Sequence, residues 1–364
     1  MSVAHKTLLV MAGGTGGHVF PALACADLLR EQGVNVEWLG TAAGIEARVV
    51  PDADIKLHCI DVTGLRGKGK LSLLLAPFKL LKACYQALRV LRQVKPDAVL
   101  GMGGFASGPG GAAAYLSGVP VIVHEQNAAA GMTNKLLAKV ACVVMEAFGG
   151  AFNDKVKTQV VGNPVRGNIL QLAEPAKRFS ERNGALRLLV VGGSLGAQAI
   201  NTLLPQVLQE LPEGQFEVLH QAGKRNIDAT KQAYASAGLS ERDDIRVVDF
   251  IDRMDEAYGW ADVVLCRAGA LTVSELSIAG AAAILVPFPY AVDDHQTGNA
   301  RYLSEQGAAV LVQQRDLDKN RLMTLLTDEL SQRDKLLEMA QSAKRLGRPE
   351  ATEVVARACL EEMK

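Results

Sequence analysis

Two glycine clusters, each directly after a short apolar run, are the residues best placed to do chemistry. The first is Gly13-Gly14-Thr15-Gly16-Gly17-His18, after Leu8-Leu9-Val10-Met11-Ala12. The second is Gly192-Gly193-Ser194-Leu195-Gly196-Ala197, after Leu188-Leu189-Val190-Val191. A buried strand that turns tightly into a helix leaves backbone N–H groups unpaired at the helix start, where phosphate and other anions bind well. Neither cluster completes a common nucleotide pattern. Counting from Gly14, a dinucleotide fingerprint needs glycine where Val19 stands. It also needs an acid at the tip of the next strand, where the chain reads Leu39-Gly40-Thr41. No Gly-Lys pair is followed by Ser or Thr, so no Walker loop is present. His18 stands at the helix start, either aimed at whatever the turn holds or simply capping the helix.

Three further segments sit at the ends of apolar runs. Glycine-rich residues 101–111 follow Ala98-Val99-Leu100 and suggest a second anion cradle beside the first. His124-Glu125-Gln126-Asn127 follows the run 119–123. There, Glu125 or His124 could act as a base and Asn127 as a hydrogen-bond partner or helix cap. Cys266-Arg267-Ala268-Gly269-Ala270-Leu271-Thr272-Val273-Ser274-Glu275 reads as strand, small-residue turn and helix. Its helix-start N–H groups near 270–273 suit a pyrophosphate, and Glu275, one turn in, is placed to accept both hydroxyls of a ribose. The loop 287–300 carries Asp293, Asp294, His295, Gln296 and Asn299, which suit sugar hydroxyls.

Charge is local rather than global. Lys+Arg and Asp+Glu both total 39, which argues against nucleic-acid binding. Residues 62–96 contain no acid but eight bases, Arg66, Lys68, Lys70, Lys79, Lys82, Arg89, Arg92 and Lys95. The run from Leu71 to Phe78, with Leu73, Leu74 and Leu75, lies among them. Such a segment reads either as a surface that dips into an anionic leaflet or as a core-facing helix with a solvated basic face. The expected membrane contacts are Lys70, Leu74, Leu75, Phe78, Lys79 and Lys82. The six cysteines form no CxxC pair and no zinc-like grouping, so reduced thiols and no metal site are expected. A signal peptide is not read at the N-terminus.

These segments need a scaffold of alternating strands and helices. Strands are expected near 7–11, 34–39, 56–60, 97–101, 119–123, 141–145 and 158–161. In the second half they fall near 186–191, 216–220, 245–248, 262–265, 282–286 and 308–311. Helices are expected at 17–32, 77–94, 131–139, 197–210, 224–236, 253–259, 271–279, 295–305 and 318–329, with a last one near 349–363. At 364 residues, two α/β domains fit comfortably. The step Asn163-Pro164 suggests a linker around 162–166.

GGTGGH (13–18), GGFASGPGG (103–111), HEQN (124–127), GNPVR (162–166), GGSLGA (192–197), CRAGALTVSE (266–275) and DDHQTGNA (293–300) follow one another in the order seen in a known family. Over essentially its whole length the chain resembles glycosyltransferase family 28, specifically the bacterial N-acetylglucosaminyltransferases of peptidoglycan synthesis. That resemblance implies a GT-B fold, two Rossmann-like domains with parallel sheets separated by a cleft. Residues 1–163 and 341–364 would form the acceptor and membrane domain, with the C-terminal helix crossing back onto it. Residues 164–340 would form the donor domain. The implied reaction moves GlcNAc from UDP-GlcNAc to the MurNAc 4-hydroxyl of undecaprenyl-pyrophosphoryl-MurNAc-pentapeptide (lipid I), with inversion. It needs no resident cofactor, though Mg²⁺ bound loosely to the diphosphate is compatible with it. Implied partners are anionic inner-leaflet phospholipids and other cell-wall and division proteins, at the cytoplasmic face of the inner membrane.

Carried onto this sequence, the resemblance puts Ser194 and Arg166 near the donor phosphates and the Ile251 backbone at the uracil. Ala270, Leu271, Thr272, Val273 and Ser274 would line the pyrophosphate, Glu275 would hold the ribose, and Gln296 the sugar. Thr15, Gly16, Gly17 and Asn127 would reach the donor sugar or the acceptor. Gly14, Gly103, Gly104 and Ser107 would take the acceptor diphosphate. His18 is the first choice as general base and Glu125 the second. Phe105 stands where the family also uses Tyr. A UDP-GlcNAc 2-epimerase is the nearest rival reading. An NAD-dependent oxidoreductase and a membrane-associated scaffold are weaker ones.

Overall fold

A computed structural model describes residues 6–62, 75–193 and 196–363. The chain divides into two compact units, residues 1–166 with 349–364, and residues 167–348.

The first unit is a wholly parallel seven-stranded sheet, with strands β1 (Thr7–Met11), β2 (Asn35–Gly40), β3 (Lys56–Cys59), β4 (Ala98–Gly101), β5 (Val121–Glu125), β6 (Val143–Glu146) and β7 (Gln159–Val160). Their order is β3-β2-β1-β4-β5-β6-β7. The connecting helices are α1 (Gly16–Glu31), α2 (Glu46–Asp52), α3 (Ala76–Val94), α4 (Ser107–Leu116) and α5 (Met132–Leu137). Strand β1 is apolar on both faces because both are covered. Leu8 and Val10 enter one core with α1, while Leu9 and Met11 enter another with α3 and α4.

The second unit repeats the plan with six parallel strands: β8 (Leu186–Val191), β9 (Phe216–Gln221), β10 (Ile245–Val248), β11 (Val263–Cys266), β12 (Ala282–Leu285) and β13 (Ala309–Leu311). They run in the order β10-β9-β8-β11-β12-β13. Its helices are α6 (Gly167–Leu170), α7 (Pro175–Ser180), α8 (Gln198–Leu208), α9 (Ile227–Ser236), α10 (Met254–Trp260), α11 (Ala270–Ala279), α12 (His295–Ser304), α13 (Lys319–Thr324) and α14 (Arg333–Leu346). A final helix, α15 (Ala351–Glu362), returns to the first unit, where Val355, Ala356 and Cys359 join the core beside α1.

The strands fall where the apolar runs place them. Several helices do not. Helix α14 escaped the reading although Leu336, Met339, Ala340 and Ala343 give it a buried stripe at helical spacing. It packs on α11, and residues 341–348 go with the second unit, while 164–166 go with the first. The glycine-rich stretch expected as a second anion cradle becomes helical from Ser107 onward. Within α4, a Cβ at Gly110 would meet the Met11 sulfur at 2.5 Å, so this glycine serves close helix–sheet packing. Nor is 162–166 a free linker. Asn163 and Val165 are buried, and the Gly162 carbonyl accepts a hydrogen bond from His124 Nε2 at 2.9 Å.

Candidate functional site

In each unit the strand order reverses beside the first strand, between β1 and β4 and between β8 and β11. Loops leaving the carboxyl ends of such a strand pair diverge, and ligands bind in the crevice this opens.

In the first unit the two loops are the glycine cluster after β1, from Gly13, and the glycine-rich turn after β4 that holds Gly103 and Gly104. They pack backbone to backbone. A Cβ on Gly104 would lie 2.4 Å from the Gly13 carbonyl oxygen, and one on Gly103 would lie 2.9 Å from His18 Nδ1. Both glycines also have positive φ, +93° at Gly103 and +88° at Gly104, which other residues adopt only with strain. Only glycine therefore brings the second turn against the first and against the His18 ring. Phe105, next in the chain, is exposed. Gly14 and Thr15 are exposed, while Gly16, Gly17 and His18 are partly so.

The floor of the first turn is Glu46, a residue the sequence reading passed over. Its side chain is fully buried. Its carboxylate accepts hydrogen bonds from Gly14 N (2.9 Å), Thr41 N (3.0 Å) and Thr41 Oγ1 (2.7 Å). The Gly14 N–H expected to face the acceptor diphosphate is thus engaged by the protein's own acid. Ser107 is likewise turned inward. It is fully buried, and its hydroxyl is directed at the Met11 and Gly103 carbonyls, each at 2.7 Å. Of the other two residues expected at that diphosphate, Gly103 is buried and Gly104 is partly exposed at the turn.

The HEQN segment spans the end of β5 and the loop after it. Glu125 is buried, and its carboxylate accepts from Asn127 N (3.0 Å), Asn127 Nδ2 (3.3 Å), Gly131 N (3.1 Å) and Asn134 Nδ2 (2.8 Å). Those four donors occupy its lone pairs and fix the loop leading into α5, which suits an anchor better than a proton acceptor. Burial pushes the His124 pKa down to about 4 and keeps its ring neutral. Gln126, also buried, links His124 to His18, whose Nδ1 lies 2.8 Å from Gln126 Oε1. Arg166 lies over the Phe20 ring at 5.9 Å from its centroid.

In the second unit the turn after β8 is braced by a neutral amide. Gln221 Oε1 accepts from Gly193 N at 3.0 Å, and its Nε2 donates to the Asp249 carbonyl at 3.0 Å. This ties the glycine turn to the loop that carries Ile251. A neutral brace leaves the turn more hospitable to a phosphate than a carboxylate does. Ser194 lies outside the described residues, as do Lys70 and Leu74. Helix α11 begins at Ala270 with Gly269 at its N-cap in extended backbone, directly after β11. Ala270, Val273 and Ser274 are buried, and Leu271 and Thr272 are partly exposed. Glu275 is buried and accepts a hydrogen bond from the Tyr258 hydroxyl at 3.0 Å. The loop after β12 holds Asp293 and Asp294 at φ of 53° and 50°. Two consecutive non-glycine residues in the left-handed region mark a strained turn of the kind that clusters at ligand sites. Gln296 Oε1 accepts from Phe288 N at 2.9 Å, which folds this loop over on itself. Arg267 is held in place by its neighbours. Its guanidinium donates to the Val286 and Pro287 carbonyls and to Gln314 Oε1, and stacks on Phe288.

Two parallel Rossmann-like units with glycine turns at their switch points match known families. The glycosyltransferase family 28 N-terminal domain matches residues 8–145, and the family 28 C-terminal domain matches residues 187–355. The chain belongs to glycosyltransferase family 28. Within it, a Marinobacter nauticus protein is 53% identical over 358 residues, covering 98% of each chain. A Pseudomonas fluorescens protein is 54% identical over 355 residues, covering 97% of this chain and 98% of its own. Both are named UDP-N-acetylglucosamine--N-acetylmuramyl-(pentapeptide) pyrophosphoryl-undecaprenol N-acetylglucosamine transferase. The crystal structure of Acinetobacter baumannii MurG superposes with a TM-score of 0.84 at 44% identity, covering 98% of this chain and 99% of that one. The fold is therefore GT-B. A Neisseria meningitidis UDP-GlcNAc 2-epimerase bound to UDP-GlcNAc shares that fold at a TM-score of 0.66. Its identity is 12%, and the match covers 98% of this chain and 100% of the epimerase.

Helix α3 carries the basic, apolar segment. Its buried seam is made of Ala83, Ala87 and Leu91, and it packs against α4. Its large apolar side chains are turned outward: Phe78 is 71% exposed, Leu81 67% and Tyr85 60%. Lys79 and Lys82 are exposed among them, and Leu75 lies just before the helix, also exposed. Among the described residues no helix is long and apolar enough to cross a membrane. No group of three or more His, Cys, Asp or Glu among the described residues is arranged to hold a metal ion.

Proposed function

We propose that this chain transfers GlcNAc from UDP-GlcNAc to the MurNAc 4-hydroxyl of lipid I, giving lipid II and UDP. The observation that carries this reading is the near-full-length match, at 53% identity, to the Marinobacter transferase of that name. The second unit binds the donor. The N–H groups of α11 and the glycine turn after β8 face the diphosphate, with Arg166 and Ser194 near it. Glu275 holds the ribose, Ile251 meets the uracil, and Gln296 meets the sugar. The first unit binds the acceptor, with its diphosphate at Gly103 and Gly104, and Thr15, Gly16, Gly17 and Asn127 near the sugars.

The acceptor hydroxyl attacks the anomeric carbon of GlcNAc, its proton passes to His18, and the bond from that carbon to the UDP oxygen breaks. An α-linked donor then becomes a β-linked product by single displacement. Negative charge developing on the leaving UDP falls toward helix-start N–H groups, whose dipoles stabilise it. A Mg²⁺ ion, where present, would ride on the diphosphate. The outward face of α3 binds anionic phospholipid at the cytoplasmic side of the inner membrane. Contacts with other cell-wall and division proteins would occur there.

The test is UDP release from UDP-GlcNAc with and without a short-chain lipid I analogue. Release that depends on the analogue, with a β-1,4-linked disaccharide product, is expected. Conversion of UDP-GlcNAc to its 2-epimer, with no acceptor dependence, would replace the transferase reading with an epimerase one.

A further inference from the structure

A line of hydrogen bonds runs from Gly162 through His124 and Gln126 to His18 in the first unit, and backbone carbonyls set its direction. Gln126 Nε2 lies 3.0 Å from the His124 carbonyl oxygen and 3.1 Å from His124 Nδ1. A carbonyl oxygen only accepts, so the amide must present its NH₂ there and its oxygen to the other side. At the far end His124 Nε2 lies 2.9 Å from the Gly162 carbonyl, so that nitrogen carries the proton and Nδ1 is the acceptor. Burial keeps the ring neutral, which preserves this pattern. Asn163 Nδ2 donates to the Gln126 carbonyl at 3.1 Å and holds the backbone in place.

The remaining end of Gln126 is its Oε1, 2.8 Å from His18 Nδ1. An amide oxygen cannot donate, so His18 must place its proton on Nδ1. We propose that Gln126 is a positioning residue that locks His18 in the Nδ1–H tautomer and leaves Nε2 as the proton-accepting atom. This inference rests on His18 being the general base. Free histidine in water prefers the opposite, Nε2–H form, which cannot accept a proton at Nε2. The lock has a second effect. Once Nε2 has taken the acceptor's proton, the Nδ1–H bond to Gln126 becomes charge-assisted and strengthens as the imidazolium forms. Among the described residues nothing hydrogen-bonds His18 Nε2.

The experiment is ¹⁵N NMR of histidine-labelled full-length protein at a pH where His18 is neutral, with His18→Gln to assign the signal. Wild type is expected to show His18 protonated at Nδ1, and an Nε2–H signal there overturns the proposal without any further variant. In Gln126→Met, similar in volume and without the amide, the signal should move to the Nε2–H form. In the same variant, kcat should fall by about tenfold or more while the KM for UDP-GlcNAc stays unchanged. An unchanged tautomer in Gln126→Met also overturns it. Near-normal turnover in His18→Ala removes the base role from His18, and the NMR result still decides whether Gln126 sets the tautomer.

Discussion

The Glu46 carboxylate accepts the Gly14 N–H at 2.9 Å, from a position 32 residues further along the chain. A buried acid therefore supports the first glycine turn from beneath. Around it, a Cβ on Gly13 would meet Glu46 Oε1 at 2.4 Å and one on Gly44 would meet Oε2 at 2.0 Å, so small residues make its pocket. Glu46→Gln replaces one acceptor oxygen with a donor that faces backbone N–H groups. It should destabilise the first unit by about 1–3 kcal/mol. Denaturant unfolding is the measurement, and an unchanged midpoint would show that the brace is dispensable.

Removing the proton acceptor should separate catalysis from binding. His18→Ala is expected to lower kcat by about 100-fold or more while UDP binding persists. Steady-state kinetics with a lipid I analogue, alongside UDP titration, tests this. Near-normal turnover would move the base role to Glu125, despite the four donors that hold its carboxylate.

The ribose reading predicts the reverse pattern. Glu275→Ala should raise the KM for UDP-GlcNAc by about tenfold, the scale of a lost hydrogen bond to a charged group, with a smaller effect on kcat. Tyr258→Phe, which removes the hydroxyl that holds Glu275 Oε2, should act in the same direction but more weakly. An unaltered KM in Glu275→Ala would take the ribose away from this residue.

Membrane contact through α3 should be separable from folding. Phe78 and Leu81 point into solvent, so changing both to Ser should leave the melting temperature unchanged. Sedimentation with anionic vesicles should show binding weakened by at least about tenfold, since each large apolar side chain contributes about 1.5–3 kcal/mol when buried. Intact vesicle binding would place the membrane surface elsewhere.

Acid should weaken both units through buried histidines. His124 and His220 both titrate near 4 in the folded protein because burial disfavours their charged forms, against an ordinary value of 6.5. The unfolded chain therefore binds these protons more readily. Stability from this source is complete above pH 6.5 and declines as the pH falls toward 4, by up to about 3 kcal/mol per histidine. Unfolding free energies measured at pH 7 and pH 5 should differ in that direction. Equal values would mean that the two rings are hydrated.

The strands were legible because the signal is local. A parallel strand covered on both faces must be apolar throughout, and Leu8-Leu9-Val10-Met11 and Val263-Val264-Leu265-Cys266 announce themselves within a few residues. Helix-start turns after such strands were legible for the same reason, which is why His18, Glu125 and Glu275 stood out. Helix α4 was not, because Ser107-Gly108-Pro109-Gly110-Gly111 has poor helix propensity. Packing against Met11 and Leu39 on the sheet overrides it.

Two things waited for the tertiary structure. Nothing in the sequence singled out Glu46; the return of α2 beneath the β1 turn decided that it is the floor of that turn. Sequence alone left Glu125 and His18 as rival bases. The fold gave Glu125 four donors and left His18 partly exposed with its Nδ1 against Gln126. Residue types and alternation set what each strand and turn can be, since those preferences act over a few neighbours. The Glu46 contact with Gly14 and the His18 contact with Gln126 join residues 32 and 108 positions apart, and only chain folding brings those within 3 Å.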